Sequence, residues 1–251
     1  MRSLYSGLIS YWNLHEASGD RADLTGFANT LTDTNTVTSS DGLLSNAATF
    51  TAANLERLNI ASNASIQGGP KNYTFAFWAK LNTKPANAMM LISKYSATAG
   101  QAEYEIFWKQ ATDRFSMNVY RATDSLQQVD ADSLGAPALS TWYFIVGWND
   151  NGAPSVNIEI NAGTADSTSL SGTTQAASAA ALDFGSRGAT GTLFLDGFMA
   201  DVGRWDRLLT RSERLWLYNN GKGRTFPFAS GPYGLARHNR SRRLNSGLFI
   251  T

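Results

Sequence analysis

The sequence predicts an all-β protein, an antiparallel sandwich or barrel with one short helix near its C-terminal end. Short apolar or alternating runs dominate the chain, and clusters of Gly, Asn, Asp, Ser and Thr separate them. Such clusters stand at residues 41–42, 68–70, 149–152 and 161–163, where tight turns are expected. Short strands with turns at this frequency are typical of sandwiches and barrels. The predicted strands span residues 7–12, 72–81, 89–94, 103–109, 114–120, 141–148, 155–160 and 193–205.

The helix is predicted from a capping pattern. Thr210 can accept a hydrogen bond from the backbone of Glu213, whose side chain can reach back to the Thr210 backbone. Leu215, Trp216 and Tyr218 then supply an apolar face, and residues 219–221 (Asn-Asn-Gly) end the helix. A helix this short is expected to pack across one end of the sandwich.

Two other stretches indicate where strands lie in the sheets. Residues 73–78 and 142–148 are apolar on both faces, as expected for central strands that are covered on both sides. Residues 162–181 are rich in Ser, Thr, Ala and Gly and have little to bury. They are predicted to form weak outer strands or a long surface loop.

Composition limits the classes of function. The chain has 251 residues, 21 Lys and Arg against 20 Asp and Glu, and a formal net charge of +1. No global positive field attracts nucleic-acid phosphates, so nucleic acid is not expected as the main partner. The absence of Cys excludes a disulfide framework, a zinc–thiolate site and a cysteine nucleophile.

The compartment is predicted from the N-terminus and from hydropathy. The first residues show no apolar signal core, and no apolar run is long enough to cross a bilayer. We therefore expect a protein made in a cytoplasm and without a membrane span. A cytoplasmic or secreted protein whose leader was removed is the alternative.

The C-terminal end differs from the rest in charge. The division predicted near Pro227 gives a domain at residues 1–227 and a basic, apolar arm at residues 228–251. Without the four arginines of the arm, 17 basic residues face 20 acidic ones, a net charge of −3. The arm is interpreted as an anchor that pairs with acids of another subunit and buries apolar side chains there. A solvated arm and a nucleic-acid arm are the alternatives. The expected partner-binding residues are Tyr233, Arg237, Arg240, Arg242, Arg243 and Phe249.

Nine segments follow one another in an order that is typical of a known family: residues 7–19, 22–29, 47–50, 58–60, 73–80, 141–148, 158–163, 197–205 and 209–221. Their order resembles the laminin G-like branch of the concanavalin A-like lectin and glucanase superfamily, over about residues 7–227. The resemblance implies an antiparallel two-sheet jelly roll, with one flat and one curved sheet of twelve to fourteen strands in all.

The resemblance also implies a metal site, because related domains combine such an acidic–glycine loop with an acid on the closing strand. Here those residues are Asp23, Asn29 and Asp201, and the expected ion is a structural calcium, which prefers carboxylate and carbonyl oxygens. The alternative is an Asx-turn in which Asp23 bonds its own loop without a metal.

Carbohydrate binding is expected on strands that the superfamily places toward the curved sheet. Sugars need aromatic faces beside polar groups, and Tyr104, Trp108 and Tyr120 are the candidate rings. The alternative is that these rings belong to the core, as most aromatic residues of a sandwich do. The polar contacts expected nearby are Asn118, Lys109 and Arg121.

No catalytic set is predicted. Glu103 and Glu105 alternate so that they point to one face, as paired glucanase acids do, but a solvated strand edge is the favoured interpretation. Asp130 and Asp132 have the same spacing and no more support. Only two histidines occur, His15 and His238, and neither suggests a Ser–His–acid arrangement, so His15 is expected at the surface or in a capping role.

Three functions follow as hypotheses. The first is a non-catalytic module of a larger assembly, a viral and especially phage surface component such as a capsid decoration or tail appendage, docked partly by the arm. It places the protein on the virion surface. The second is a soluble lectin whose curved sheet binds a glycan. The third, a glycoside hydrolase, requires acids that face one another across a cleft.

Overall fold

The computed structural model describes residues 3–122, 125–172, 177–188 and 191–228. Within these ranges the chain forms fifteen strands and one α-helix, α1 (Arg211–Tyr218), so the all-β prediction is confirmed. The strands are β1 (Leu8–Trp12), β2 (Thr32–Thr34), β3 (Thr38–Asp41), β4 (Asn46–Phe50), β5 (Arg57–Ile60), β6 (Tyr73–Leu81), β7 (Met89–Lys94), β8 (Tyr104–Lys109), β9 (Arg114–Arg121), β10 (Ser125–Asp130), β11 (Trp142–Asp150), β12 (Ser155–Ile160), β13 (Ala165–Ser169), β14 (Leu182–Phe184) and β15 (Gly197–Trp205).

The strands make two antiparallel sheets. One has eight strands in the order β13-β12-β11-β6-β15-β4-β3, with β1 also paired to β15. The other has seven strands in the order β10-β9-β8-β7-β14-β5-β2. The predicted central strands β6 and β11 lie next to each other inside the eight-stranded sheet, which explains their apolar residues on both faces.

The main core lies between the sheets. Alternate residues of each strand face inward, so Phe75 and Phe77 of β6 meet Ile106 of β8 and Met117 of β9 in one buried cluster. At Gly147 of β11 the sheets approach so closely that a β-carbon would lie 2.8 Å from both the Ile106 Cδ1 and the Met117 Sδ. A larger residue at this point would force the ends of these two side chains to shift.

A second apolar layer covers the outer face of the eight-stranded sheet. Helix α1 places Leu217 and Tyr218 on Trp78 and Phe144, and the two rings lie 5.9 and 6.1 Å from the Tyr218 ring. The predicted capping box is present, because the Thr210 hydroxyl accepts from Glu213 N at 3.3 Å and Glu213 accepts from Thr210 N at 2.8 Å.

The chain after the helix extends this outer layer. Phe226 and Phe228 pack on the rings of Tyr5 and Tyr11, and Phe228 is buried. Phe228 is the first residue of the predicted arm. The arm residues predicted to bind a partner lie outside the described residues: Tyr233, Arg237, Arg240, Arg242, Arg243 and Phe249.

Strand ends and the edge of the eight-stranded sheet differ in detail from prediction. The last long strand begins at Gly197 rather than residue 193, and β8 begins at Tyr104 rather than residue 103. Within residues 162–181, one exposed edge strand, β13, pairs with β12, as expected for a weak outer strand. The strands β2, β3 and β10 have too few apolar residues to be detected by pattern, and β14, with only three residues, is too short.

Candidate functional site: a polar row on the seven-stranded sheet

A row of polar side chains crosses the outer face of the seven-stranded sheet. Each member is paired in register with the next on the neighbouring strand, from β5 to β10. Because adjacent strands are about 4.8 Å apart, the row is about 24 Å long. We call it the polar row; its members are Asn59, Asp183, Ser93, Glu105, Asn118 and Gln128.

Strand alternation places these residues outward. In β8, Tyr104, Ile106 and Trp108 belong to the core cluster, so the intervening Glu105 faces the other side. Leu182 and Phe184 flank Asp183 in the same way. The row therefore lies on the opposite side of the sheet from the core, although Glu105, Ser93 and Asp183 have no exposed surface.

Glu105 is the centre of the hydrogen-bond network in the row. Its Oε1 accepts from Arg187 Nε at 2.6 Å, and its Oε2 accepts from Tyr120 Oη at 2.7 Å and Asn118 Nδ2 at 2.9 Å. The Arg187 guanidinium also lies 3.9 Å above the Tyr95 ring. Burial alone would lower the pKa of Arg187. The charge and the hydrogen bond of Glu105 act in the opposite direction, and the pKa of Arg187 is raised. Arg187 therefore stays charged at any ordinary pH.

The network continues to the edge of the sheet. Gln128 donates to Asn118 Oδ1 at 2.7 Å and accepts from Lys109 Nζ at 2.5 Å. Lys109 also pairs with Asp130 at 2.9 Å. Burial alone would raise the pKa of Asp130, but hydrogen bonds from Lys109 and Ser116 hold it below its usual value. Lys109, Gln128 and Asp130 are half-buried, so this end of the network reaches solvent.

Asp183 differs from the rest of the row. Neither of its carboxylate oxygens has a hydrogen-bond partner within the described residues, and the nearest cation is Arg57, whose Nη1 lies 3.7 Å from Oδ1. Burial raises the pKa of Asp183 to about 6, and the attraction of Arg57 only partly opposes this. Asp183 therefore gains a proton at a higher pH than an ordinary aspartate.

The structure brings together only part of the predicted ligand-binding set. Tyr120 reaches the polar row through Glu105, and the predicted polar contacts Asn118 and Lys109 belong to the same network. Tyr104 and Trp108 instead belong to the inner core and are 0% and 2% exposed. Their rings cannot stack on a sugar from these positions, which corrects the expectation for both residues.

The other predicted polar and acidic residues have separate roles. Arg121 donates to Gly172 O at 3.0 Å and does not reach the row. Glu103 is buried and bonds Lys94 Nζ at 3.0 Å and Gly68 N at 2.6 Å, so it shares no partner with Glu105. Neither acid lies on a solvated strand edge, which corrects that interpretation. Asp132 is largely exposed and pairs with Arg114 at 3.3 Å.

The residues of the predicted metal site do not fit a calcium ion. Oδ1 of Asp23 accepts from Tyr11 N and Thr25 N, and Oδ2 accepts from Thr25 Oγ1 and Asn29 N, all at 3.0 Å. These four donors satisfy both carboxylate oxygens without a metal, as in the Asx-turn alternative.

The other two predicted ligands are also engaged by the chain. The Asn29 side-chain oxygen accepts from Asn63 at 2.9 Å, and Asp201 Oδ1 accepts from the Tyr11 hydroxyl at 3.0 Å. The second Asp201 oxygen is buried and has no hydrogen-bond partner within the described residues, and His15 Nε2 lies 3.6 Å from it. Across the described ranges no three His, Cys, Asp or Glu side chains form a group that could hold a metal ion.

Helix α1 is far too short to span a bilayer, and within the described residues no other helix meets the length and hydropathy needed for that.

Solved structures similar to this fold carry the word binding in their descriptions. They include the binding domain of Paraclostridial Mosquitocidal Protein 1 (TM-score 0.68, 15% identity, 86% of this chain and 52% of that chain). The binding domain of botulinum neurotoxin serotype G gives a TM-score of 0.66 at 16% identity over 84% of this chain and 50% of that chain. The binding domain of botulinum neurotoxin DC in complex with SialylT gives 0.65 at 13% identity, over 86% and 52%.

The present chain thus spans about half the length of each of these structures, and at such identities the likeness concerns the fold. No curated protein sequence matches it. A family model described as the concanavalin A-like lectin/glucanases superfamily matches residues 56–213, which is more than half of the chain. The chain belongs to this superfamily.

Proposed function

We propose that this protein is a non-catalytic carbohydrate-binding module whose glycan lies at the end of the polar row that reaches solvent, around Gln128, Lys109 and Asp130. The observation that carries the proposal is the continuous network from Arg187 through Glu105, Asn118 and Gln128 to Lys109. Amide, carboxylate and ammonium groups fixed by one another supply donors and acceptors for sugar hydroxyls at little cost in side-chain entropy. Tyr95, held half-buried beside Arg187, supplies a ring next to them.

Two features of the row favour binding over catalysis. Glycoside hydrolysis requires one acid and one base or nucleophile that both reach the sugar. Glu105 accepts four hydrogen bonds from Arg187, Asn118 and Tyr120 and has no exposed surface, so it is not placed to act on a sugar. Asp183 has the raised pKa of a general acid but no exposed surface.

The fold neighbours add support of a weaker kind. Each of the three compared structures is titled a binding domain, and one was determined in complex with SialylT. Those descriptions concern proteins that are 13–16% identical to this chain. Glycan recognition by this protein therefore rests on the polar row.

The proposal is tested by screening the full chain on an array of neutral and acidic glycans, followed by calorimetry on the glycans that bind. Gln128→Ala removes two hydrogen bonds of the row, so a three- to tenfold loss of affinity is expected. Gln127→Ala is the matched control, because the neighbouring residue of β10 faces the other side of the sheet. Equal losses in both variants, or no binding to any neutral glycan, would contradict the proposal.

A second candidate function is a structural component of a larger assembly, such as a capsid decoration or tail appendage on a virion surface. It is favoured by the charge pattern of the sequence, in which a basic C-terminal arm without acidic residues follows a body of net charge −3. Removing residues 229–251 is expected to leave a folded protein that no longer joins the assembly. Unchanged incorporation of this truncated chain would exclude docking through the arm.

A further inference from the structure

A second row of side chains crosses the outer face of the eight-stranded sheet, beside the area that helix α1 covers. Cross-strand pairing links its members in register from β11 to β3. At about 4.8 Å per strand the row is about 19 Å long. We call it the aromatic–lysine row; its members are Trp142, Lys80, Phe198, Thr49 and Thr38. The first four are half-buried and Thr38 is exposed.

The two rings of this row hold the lysine between them. The Lys80 Nζ lies 3.9 Å from the centroid of the Phe198 ring and 5.1 Å from that of Trp142. The ring centroids are 6.1 Å apart and the planes meet at 56°. A cation in this position is attracted by the negative ring faces. The ammonium is therefore fixed over a half-buried apolar platform.

Lys80 differs from the other stacked cations of the described chain in having no acceptor. Five cations lie over aromatic rings, and the other four are arginines that also bond a carboxylate or amide oxygen. Their acceptors are Glu105 for Arg187, Asp206 for Arg204, Glu159 for Arg214 and Asn219 for Arg224. Within the described residues, no hydrogen bond or ion pair is recorded for the Lys80 ammonium.

We propose that the aromatic–lysine row is a second binding site, which takes a glycan that carries carboxylates. A sugar carboxylate accepts a charge-assisted hydrogen bond from the Lys80 ammonium. It thus gives Lys80 the kind of acceptor that the four arginines find within the chain. The sugar rings lie against Trp142 and Phe198, and the hydroxyls of Thr49 and Thr38 extend the site along the sheet. This site is separate from the polar row, which lies on the opposite sheet.

The position of the row favours a glycan over an acidic peptide. A peptide that binds a sheet by its backbone adds at an exposed edge. Lys80 and Phe198 lie on β6 and β15, which have hydrogen-bonded strands on both sides. The platform therefore offers side chains alone, and rings beside a cation suit the C–H faces and carboxylates of acidic sugars.

The test is calorimetry of the full chain with tetragalacturonate and with its methyl ester, which has the same rings without the charges. The acid form is expected to bind at least tenfold more tightly. Lys80→Gln should reduce this ratio to within twofold and Lys80→Arg should retain it. Lys71→Gln, which removes a positive charge before the opposite end of β6, should not change it. Gln128→Ala on the polar row should leave the ratio of the two affinities unchanged as well, so the proposals for the two sites are tested independently.

Three results would overturn the inference. One is an unchanged preference for the acid form in Lys80→Gln. Another is tighter binding of tetraglutamate than of tetragalacturonate, which would make the occupant an acidic peptide. The third is no binding of the wild-type chain to tetragalacturonate or to any uronic or sialylated glycan of the array. Thermal unfolding of each variant confirms that an affinity change does not come from loss of the fold.

Discussion

The outer faces of the two sheets differ: one is apolar and covered by added structure, and the other is polar and hydrogen-bonded. The eight-stranded sheet places Trp78 and Phe144 outward and covers them with helix α1 and the segment that ends at Phe228. The seven-stranded sheet places Glu105 and Asn118 outward and satisfies them through a side-chain network. Apolar area left in water would favour association, whereas buried polar groups are stable only if they are bonded. One face therefore needs added structure, and the other needs complete hydrogen bonding.

This difference teaches where a ligand can bind. On the covered face, the helix occupies the space that a partner would need, and the aromatic–lysine row beside it reaches solvent. On the polar face, the network reaches solvent at Lys109, Gln128 and Asp130. Both proposed sites lie where an outer face of the sandwich reaches solvent.

The largest effect is expected from the covered face. Trp78→Ala removes a 2% exposed ring that packs on Phe144 and Tyr218, so the free energy of unfolding should fall by about 3–5 kcal/mol. Trp142 lies on the same face but is half-buried, so Trp142→Ala should lower the free energy of unfolding clearly less. Urea denaturation of both variants makes the measurement. Equal losses would mean that the helix does not bury this face as described.

A smaller, pH-dependent effect is expected from Asp183 in the polar row. Its pKa is about 6 when folded and 3.8 as the ordinary value, so the folded state holds more protons between these pH values. The free energy of unfolding should therefore fall as the pH rises from 4 to 6 and then level off. Asp183→Asn removes this slope and should stabilise the protein at pH 8 by about 1–3 kcal/mol.

The measurement is urea denaturation at pH 4 and pH 8, with the slope of the wild-type chain compared with that of Asp183→Asn. Asp132→Asn is the control, because this largely exposed carboxylate makes only a surface ion pair. A variant as pH-dependent as the wild type would show that Asp183 is hydrated in the folded state.

The smallest effect is expected at the helix that covers the apolar face. Thr210→Ala removes the hydroxyl that accepts from Glu213 N at the start of α1, which should cost about 1 kcal/mol. Thr210→Ser keeps the acceptor and should cost little. Thermal unfolding separates the two variants. If Thr210→Ala is neutral, the outer layer does not depend on the cap.

Much of the fold was predictable because its signals are local. The apolar residues on both faces of β6 and β11 indicate central strands, and Thr210 with Glu213 indicates the helix start. The site was harder, since alternation divides a strand into two faces but does not say which face meets the core. In β8 the face of Tyr104 and Trp108 meets the core. The alternation of Glu105 and Lys109 with these rings was the signal that could have shown this.

The remaining features depend on register, which sequence spacing does not reveal. Lys80 meets Trp142 and Phe198 only because β6 pairs with strands more than 60 residues further along the chain. Arg187 reaches Glu105 across 82 residues. Neither contact has a local pattern, because each depends on the assembly of the whole sheet.

The central claim is that the polar row is the glycan-binding face, and amide chemical-shift mapping tests it most directly. The chain is titrated with the neutral glycan that binds most tightly on the array, and shift changes are followed by residue. The account predicts changes clustered on β8, β9 and β10 around Glu105, Asn118 and Gln128 that saturate with a single dissociation constant. Changes confined to other strands, with these three residues unaffected at saturation, would contradict it.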